Sequence, residues 1–261
     1  MNASIAESIL TTSAAALAER RRRTAEAWGA GSELVLVGAG DPLPVLGAGD
    51  QTYPFLAHAE YVYLTDDHEP GGVLAFDPAS GFTHFVPAVT EAERVWEGRT
   101  DRAGTPLPEL AGWLAARRGR PSAVLGAELP GLAGDAGRRL ELRRSLAQVR
   151  RRKDTDELAR MRAAAVATAT GFDAARAAIR PGVTERAVQV EIEAAFFRAG
   201  GDRTAYGTIV GTGSNAGVLH FTPGARAIAK DDVVLIDAGA EIRRYCADVT
   251  RTYPASGTWS G

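Results

Sequence analysis

Cysteine is almost missing from this chain. Cys246 is the only one in 261 residues, so no internal disulfide framework exists and a reducing compartment, most simply the cytoplasm, is expected. No apolar run approaches the roughly 20 residues that a membrane span needs. No basic stretch precedes Ile9, Leu10 and the alanines after them, and the arginines that follow reverse the order of a signal peptide. Charge of one sign is lacking too. A formal net charge of -2 gives no field to draw in nucleic acid or an anionic membrane, and the basic runs Arg20 to Arg23 and Arg150 to Lys153 are expected to be solvated helix faces or linker charge. There is no Gly-x-Ser-x-Gly elbow and no cysteine with a histidine nearby in sequence, which argues against serine and cysteine hydrolases. Leu43 stands where the third glycine of a dinucleotide fingerprint would follow Gly38-Ala39-Gly40. Gly211-Thr212-Gly213 lacks the Gly-Lys-Ser/Thr ending of a phosphate loop, and its glycines are expected to allow a tight backbone approach near a substrate pocket.

What is present describes a folded chain of two domains. Apolar residues are 45% and charged residues 24% of the total, ordinary globular values, and the length exceeds a usual single core. A helix is predicted over 4–27, with Ile5, Ile9, Ala16 and Leu17 near one face. Strands are predicted at 34–37, 61–64, 72–76, 83–86 and 123–125, with a helical stretch at 107–116. The mixture implies an α/β layer structure, and the domains are expected to divide as 1–150 and 151–261. Beyond that point Leu158, Met161, Ala165 and Ala169 recur at helical spacing to about Ile179, where Arg180-Pro181-Gly182 ends the run. A second helix opens at Thr184, a plausible N-cap, buries Val188, Ile192, Ala195 and Phe196, and stops at Gly200-Gly201.

The chemistry sits near the end. Val233, Leu235 and Asp237 alternate with Val234 and Ile236, and Cys246, Asp248 and Thr250 alternate with Ala247, Val249 and Arg251, so two strands are predicted to form a hairpin. Pairing about a centre between Ile242 and Arg243 sets Asp237 opposite Asp248, Cβ atoms roughly 5 Å apart. Two carboxylates that close, buried beside Val233 and Leu235, repel unless a proton or a cation lies between them. A divalent ion, or a pair of them, removes the penalty and makes a hydrolytic site. An aspartate after an apolar strand also serves as a plain loop or cap residue. On the predicted register Cys246 shares a face with Asp248, and as a small residue it is expected to be buried.

The wording around these residues adds to that reading. Residues 209–215, then Leu219-His220-Phe221, Asp237-Ala238-Gly239 and Asp248-Val249-Thr250-Arg251-Thr252 resemble the Xaa-Pro aminopeptidase and prolidase group of pita-bread metallopeptidases. Tyr61-Val62-Tyr63-Leu64-Thr65, with Glu69-Pro70, is similar to the creatinase-like domain that precedes the catalytic domain in that group, although Asp66 stands where the group usually has glycine. The resemblance implies a creatinase-like amino-terminal α/β domain followed by the first half of a pita-bread domain. It implies hydrolysis of the peptide bond before proline, with a proline-containing peptide as substrate and two divalent ions as cofactors, Mn2+ first and Co2+ or Zn2+ as alternatives. Asp237 would hold one ion, Asp248 would bridge both, and His220 would contact the substrate near the scissile bond. The family centre also takes a later His and two later Glu; they are not in this sequence, so the 261 residues are expected to be a fragment with little activity of their own, homodimeric when complete. The rivals are a non-catalytic pita-bread module that binds peptides or proteins, and a methionine aminopeptidase, which shares the paired aspartates.

Overall fold

The computed structural model describes residues 10–132 and 135–259. It divides the chain between Lys153 and Asp154 into two compact units, with Leu10 counted in the second. The first six residues of the predicted 4–27 helix, Ile5 and Ile9 among them, lie outside the described residues.

The first unit is built on a five-stranded sheet ordered β4-β3-β2-β1-β5. Its elements are α1 (Ala14–Trp28), β1 (Leu34–Gly38), α2 (Ala59–Thr65), β2 (Val73–Asp77), β3 (Gly81–Val86), α3 (Glu91–Glu97), β4 (Thr105–Pro106), α4 (Glu109–Ala115), β5 (Ser122–Gly126) and α5 (Ala136–Arg151). Every residue of β1 and β2 is buried, because helices cover both faces. Alternation sorts the side chains: Val35, Val37, Leu74 and Phe76 join Trp28, Leu142 and Leu146 on one face, while Leu34, Leu36, Val73 and Ala75 meet Leu110, Trp113 and Leu114 on the other. The α/β architecture expected from sequence is present.

Several local expectations fail. Residues 61–64 are not a strand but the middle of α2, where Glu60 through Thr65 are all buried. A short apolar run enclosed on every side carries no alternation to separate strand from helix. Asp66 takes φ 55 and caps α2 through its N–H to Val62 O, so the left-handed turn that glycine would favour persists without it. The arginines at 20–23 are not simply solvated. Arg20 is buried with its guanidinium 5.2 Å from the Tyr63 ring, Arg21 donates to Leu64 O (2.8 Å) and Arg23 to Val149 O (2.6 Å). They tie α1 to α2 and α5, their stems covering apolar surface.

The second unit opens with α6 (Thr155–Ala178) and α7 (Glu185–Arg198), followed by β6 (Arg203–Thr204), β7 (Ile209–Thr212), a 3-10 turn (Gly213–Gly217), β8 (Val233–Ala238), β9 (Ala240–Ile242), β10 (Tyr245–Cys246) and β11 (Val249–Pro254). Asp154 and Glu157 form a capping box at the start of α6, and Thr184 caps α7, its hydroxyl accepting from Ala187 N (3.1 Å). The buried stripe of α7 is the expected one. That of α6 is displaced: Ala164, Ala167, Thr168, Gly171 and Ala175 are buried, whereas Met161, Ala165 and Ala169 face outward. So many alanines give the helix little periodicity to read, and the helix turns toward its partner the glycine that lets it come close. A Cβ on Gly171 would collide with the Phe196 ring.

Two three-stranded sheets complete this unit, ordered β11-β8-β7 and β10-β9-β6. Val210, Val234, Ile236 and Ala238 turn one face of the first sheet onto α6 and α7. Asp237 points to the other face with Val233 and Leu235, and those two apolar neighbours are not buried: Val233 is 41% exposed and Leu235 half-buried.

Candidate metal and peptide site

The predicted hairpin exists with its centre displaced. Tyr245 pairs with Ile242, Cys246 with Glu241, Val249 with Ala238 and Thr250 with Asp237, so the turn is the pair Arg243-Arg244 and Asp237 faces Thr250 rather than Asp248. Both turn residues have positive φ, 49 and 70, the two-residue geometry whose twist matches a hairpin. Nothing in an Arg-Arg dipeptide announces that turn, since Asn-Gly is its usual signature. Arg243 N donates to Asp202 Oδ2 (2.6 Å), which holds the turn in place. Gly239 sits opposite the displaced partner, and a Cβ there would collide with the carbonyl oxygen of Ala247.

Because the displacement is two residues, the pleat keeps Asp237 and Asp248 on one face as diagonal neighbours. The two carboxylates meet at a third group. Tyr206, in the loop ahead of β7, donates its hydroxyl to Asp237 Oδ1 (2.6 Å) and lies 3.1 Å from Asp248 Oδ1. Burial first, and then the bond to Asp237, push the Tyr206 phenol above its ordinary range, so it stays a donor at neutral pH. Asp237 is half-buried and Asp248 exposed.

These groups open on a cavity of about 590 Å³ that also holds His220, Gln189 and Glu193. His220 is on no strand; it is exposed in a turn after the 3-10 segment, and Phe221, Thr222 and Pro223 continue the same wall. Tyr206, Gln189 and Glu193 were not legible as site residues, because no spacing rule marks them. Gly211 and Gly213 do not line the cavity. A Cβ on Gly211 would crowd the backbone of Asn215 and Ala216, so its close approach is to the chain's own 3-10 turn. Cys246 is exposed rather than buried, its sulfur 3.6 Å from Glu241 Oε2, and partial shielding of the sulfur together with that carboxylate raises the thiol's pKa.

Hard oxygen donors suit a divalent ion, and two carboxylates held within reach of one hydroxyl fit it in kind. In number they do not fill a site: among the described residues no cluster of three or more His, Cys, Asp or Glu forms.

The fold and its likenesses define a metallopeptidase-type domain preceded by a separate α/β domain. Residues 159–260 match the model of metallopeptidase family M24, and residues 17–105 match that of the aminopeptidase P N-terminal domain. The Xaa-Pro aminopeptidase 2 of Streptomyces coelicolor is 31% identical over 247 residues, 81% of this chain and 51% of that protein. Proline aminopeptidase P II from Yersinia pestis superposes with TM-score 0.76 at 26% identity, over 95% of this chain and 64% of that one. A zinc-substituted Escherichia coli aminopeptidase P, solved in complex with product, superposes with TM-score 0.72 at 25% identity, over 95% and 64%. The chain belongs to the Xaa-Pro aminopeptidase group, with an aminopeptidase P amino-terminal domain followed by the first half of a pita-bread domain. It spans about half the length of the curated relatives it matches.

Proposed function

We propose that this chain takes part in metal-dependent hydrolysis of the peptide bond preceding proline, as an aminopeptidase acting on proline-containing peptides. The observation that carries the proposal is the convergence of Asp237, Asp248 and His220 on one cavity beneath the Tyr206 hydroxyl. Asp237 and Asp248 would contribute ligands to divalent ions, Mn2+ by preference, with Co2+ or Zn2+ acceptable to the same donors. The ions supply Lewis-acid polarisation when bound. What this chain's own residues do is narrower. Tyr206 orients both carboxylates, His220 offers a hydrogen bond to the carbonyl of the residue before proline, and the wall at 220–223 confines the peptide. The same proposal takes the working enzyme to be a cytoplasmic homodimer.

The test is calorimetric titration of the chain with Mn2+ and then with a tripeptide bearing proline or alanine second, alongside a turnover assay. The proposal expects weak Mn2+ binding that Asp248→Ala abolishes, and tighter binding of the proline peptide. Mn2+ binding indifferent to Asp248→Ala sinks the site assignment. Peptide binding without any turnover, in a form that has all its metal ligands, favours the non-catalytic module instead.

A further inference from the structure

Glu185 is the first residue of α7 and is wholly buried, at 0% exposure. A carboxylate so placed needs donors, and it finds three on one oxygen: Oε1 accepts from Thr212 N (2.9 Å), Thr212 Oγ1 (2.8 Å) and Asn215 Nδ2 (3.0 Å). Thr212 ends β7, and Asn215 lies in the 3-10 turn whose carbonyl at Asn215 accepts from Val218 N (3.1 Å). Two residues later comes His220. The side chain of Glu185 therefore holds the segment that leads into the cavity wall.

Its backbone holds the segment that leads out. Glu185 N donates to Arg226 O (3.1 Å), and Arg186 N to Gly224 O (3.0 Å). Arg226 closes the circuit, its guanidinium reaching the Thr212 hydroxyl and both oxygens of Asp232. The stretch from His220 to Pro223, which lines the cavity, is thus an arch with both feet on the first turn of α7. Asp237, on β8, and Asp248, just ahead of β11, take their hydrogen bond from Tyr206 rather than from Glu185.

We propose that Glu185 is a positioning residue for the peptide pocket: through Thr212 and Asn215 it sets where His220 sits, and with Arg226 it fixes the arch against which a peptide lies. The inference deepens the peptidase reading and rests on it for the substrate, but the geometry of the arch does not. Its operative feature is the acceptor oxygen, so glutamine should serve where alanine fails. The other oxygen, Oε2, has no hydrogen-bond partner among the described residues, which leaves that position open to the amide nitrogen of a glutamine.

The experiment compares the 261-residue chain with Glu185→Ala and Glu185→Gln by amide hydrogen exchange, by the His220 imidazole signal in proton–carbon NMR, and by calorimetry with Mn2+ and an Ala-Pro-Ala peptide. Expected for Glu185→Ala are exchange raised about tenfold or more over 212–223 relative to the end of α7, a shifted or broadened His220 signal, and weaker peptide binding with Mn2+ affinity retained. Glu185→Gln should restore all three. Unchanged exchange and an unchanged His220 signal in Glu185→Ala overturn the proposal, as does exchange raised equally throughout the second unit, or a glutamine variant as impaired as the alanine one. Should Glu185→Ala fail to fold, Asn215→Ala is expected to loosen 215–220 alone, and wild-type exchange there overturns the idea. If the wild-type chain binds no Ala-Pro-Ala, the peptidase reading fails, while exchange and the His220 signal still decide the role of Glu185.

Discussion

The Tyr206 hydroxyl lies 2.6 Å from Asp237 Oδ1 and reaches Asp248 Oδ1 at 3.1 Å, so one donor serves two carboxylates, one on β8 and one just ahead of β11. In Tyr206→Phe both oxygens lose that donor and the Asp237 rotamer loses its tether. Divalent-ion affinity is expected to fall about tenfold or more, the usual scale for losing an outer partner of a ligand. Titration with Mn2+ checks it; affinity equal to wild type would mean that the hydroxyl does not organise the pair.

His220→Ala should leave Mn2+ binding intact and reduce turnover, in a catalytically competent form, by roughly a hundredfold, the scale of one lost hydrogen bond to a developing oxyanion. Steady-state kinetics with a proline peptide decide, and an unchanged turnover number removes His220 from the reaction.

Gly239→Ala brings a methyl group into the Ala247 carbonyl, between β10 and β11. The expected cost is about 3 kcal/mol or loss of folding, read by urea denaturation. A midpoint within error of wild type would show that the two strands separate more easily than their spacing implies.

The first unit should lose stability as pH falls. Burial is the largest influence on His84, with Arg21 and Arg102 acting the same way and Asp67 opposing, and its pKa drops to about 4. The unfolded chain binds that proton near pH 6.5. Between these values the unfolded state holds more protons, so stability rises with pH through the window, is fully present above about pH 6.5 and is lost toward pH 4, by up to about 3 kcal/mol. Thermal melts of wild type and His84→Gln across that range test it: the variant should show a flatter pH dependence, and identical slopes would contradict a neutral, half-buried His84 hydrogen-bonded to Tyr61 at 2.6 Å.

Cys246 should be alkylated slowly for so accessible a thiol. Partial shielding of the sulfur and the Glu241 carboxylate disfavour its thiolate, and the thiolate is the reactive form. Iodoacetamide labelling at pH 8, followed by intact mass, should run slower than for a free cysteine; faster labelling would mean that Glu241 does not face the sulfur.

Much of the second unit was readable because its signals are local. Thr184 caps, Val188, Ile192, Ala195 and Phe196 line up at helical spacing, and β8 alternates. The paired aspartates were readable as a pair because strand periodicity assigns a face. The register was not, since it depends on how Arg243 and Arg244 bend, and that is settled by Asp202 far away in sequence. For the same reason Tyr206, 31 residues before Asp237, left no trace in spacing. In the first unit residues 61–64 misled because helix and strand look alike when every side is buried.

The Arg243-Arg244 turn also sets what lengths the hairpin tolerates. Adding or deleting one residue there would, if the turn stayed two residues long, slip the register by one and carry Asp248 to the face opposite Asp237. Changing the length by two would only slide one carboxylate along its partner strand. Among homologous chains, odd-numbered length changes at this corner should be far rarer than even ones wherever both aspartates are retained.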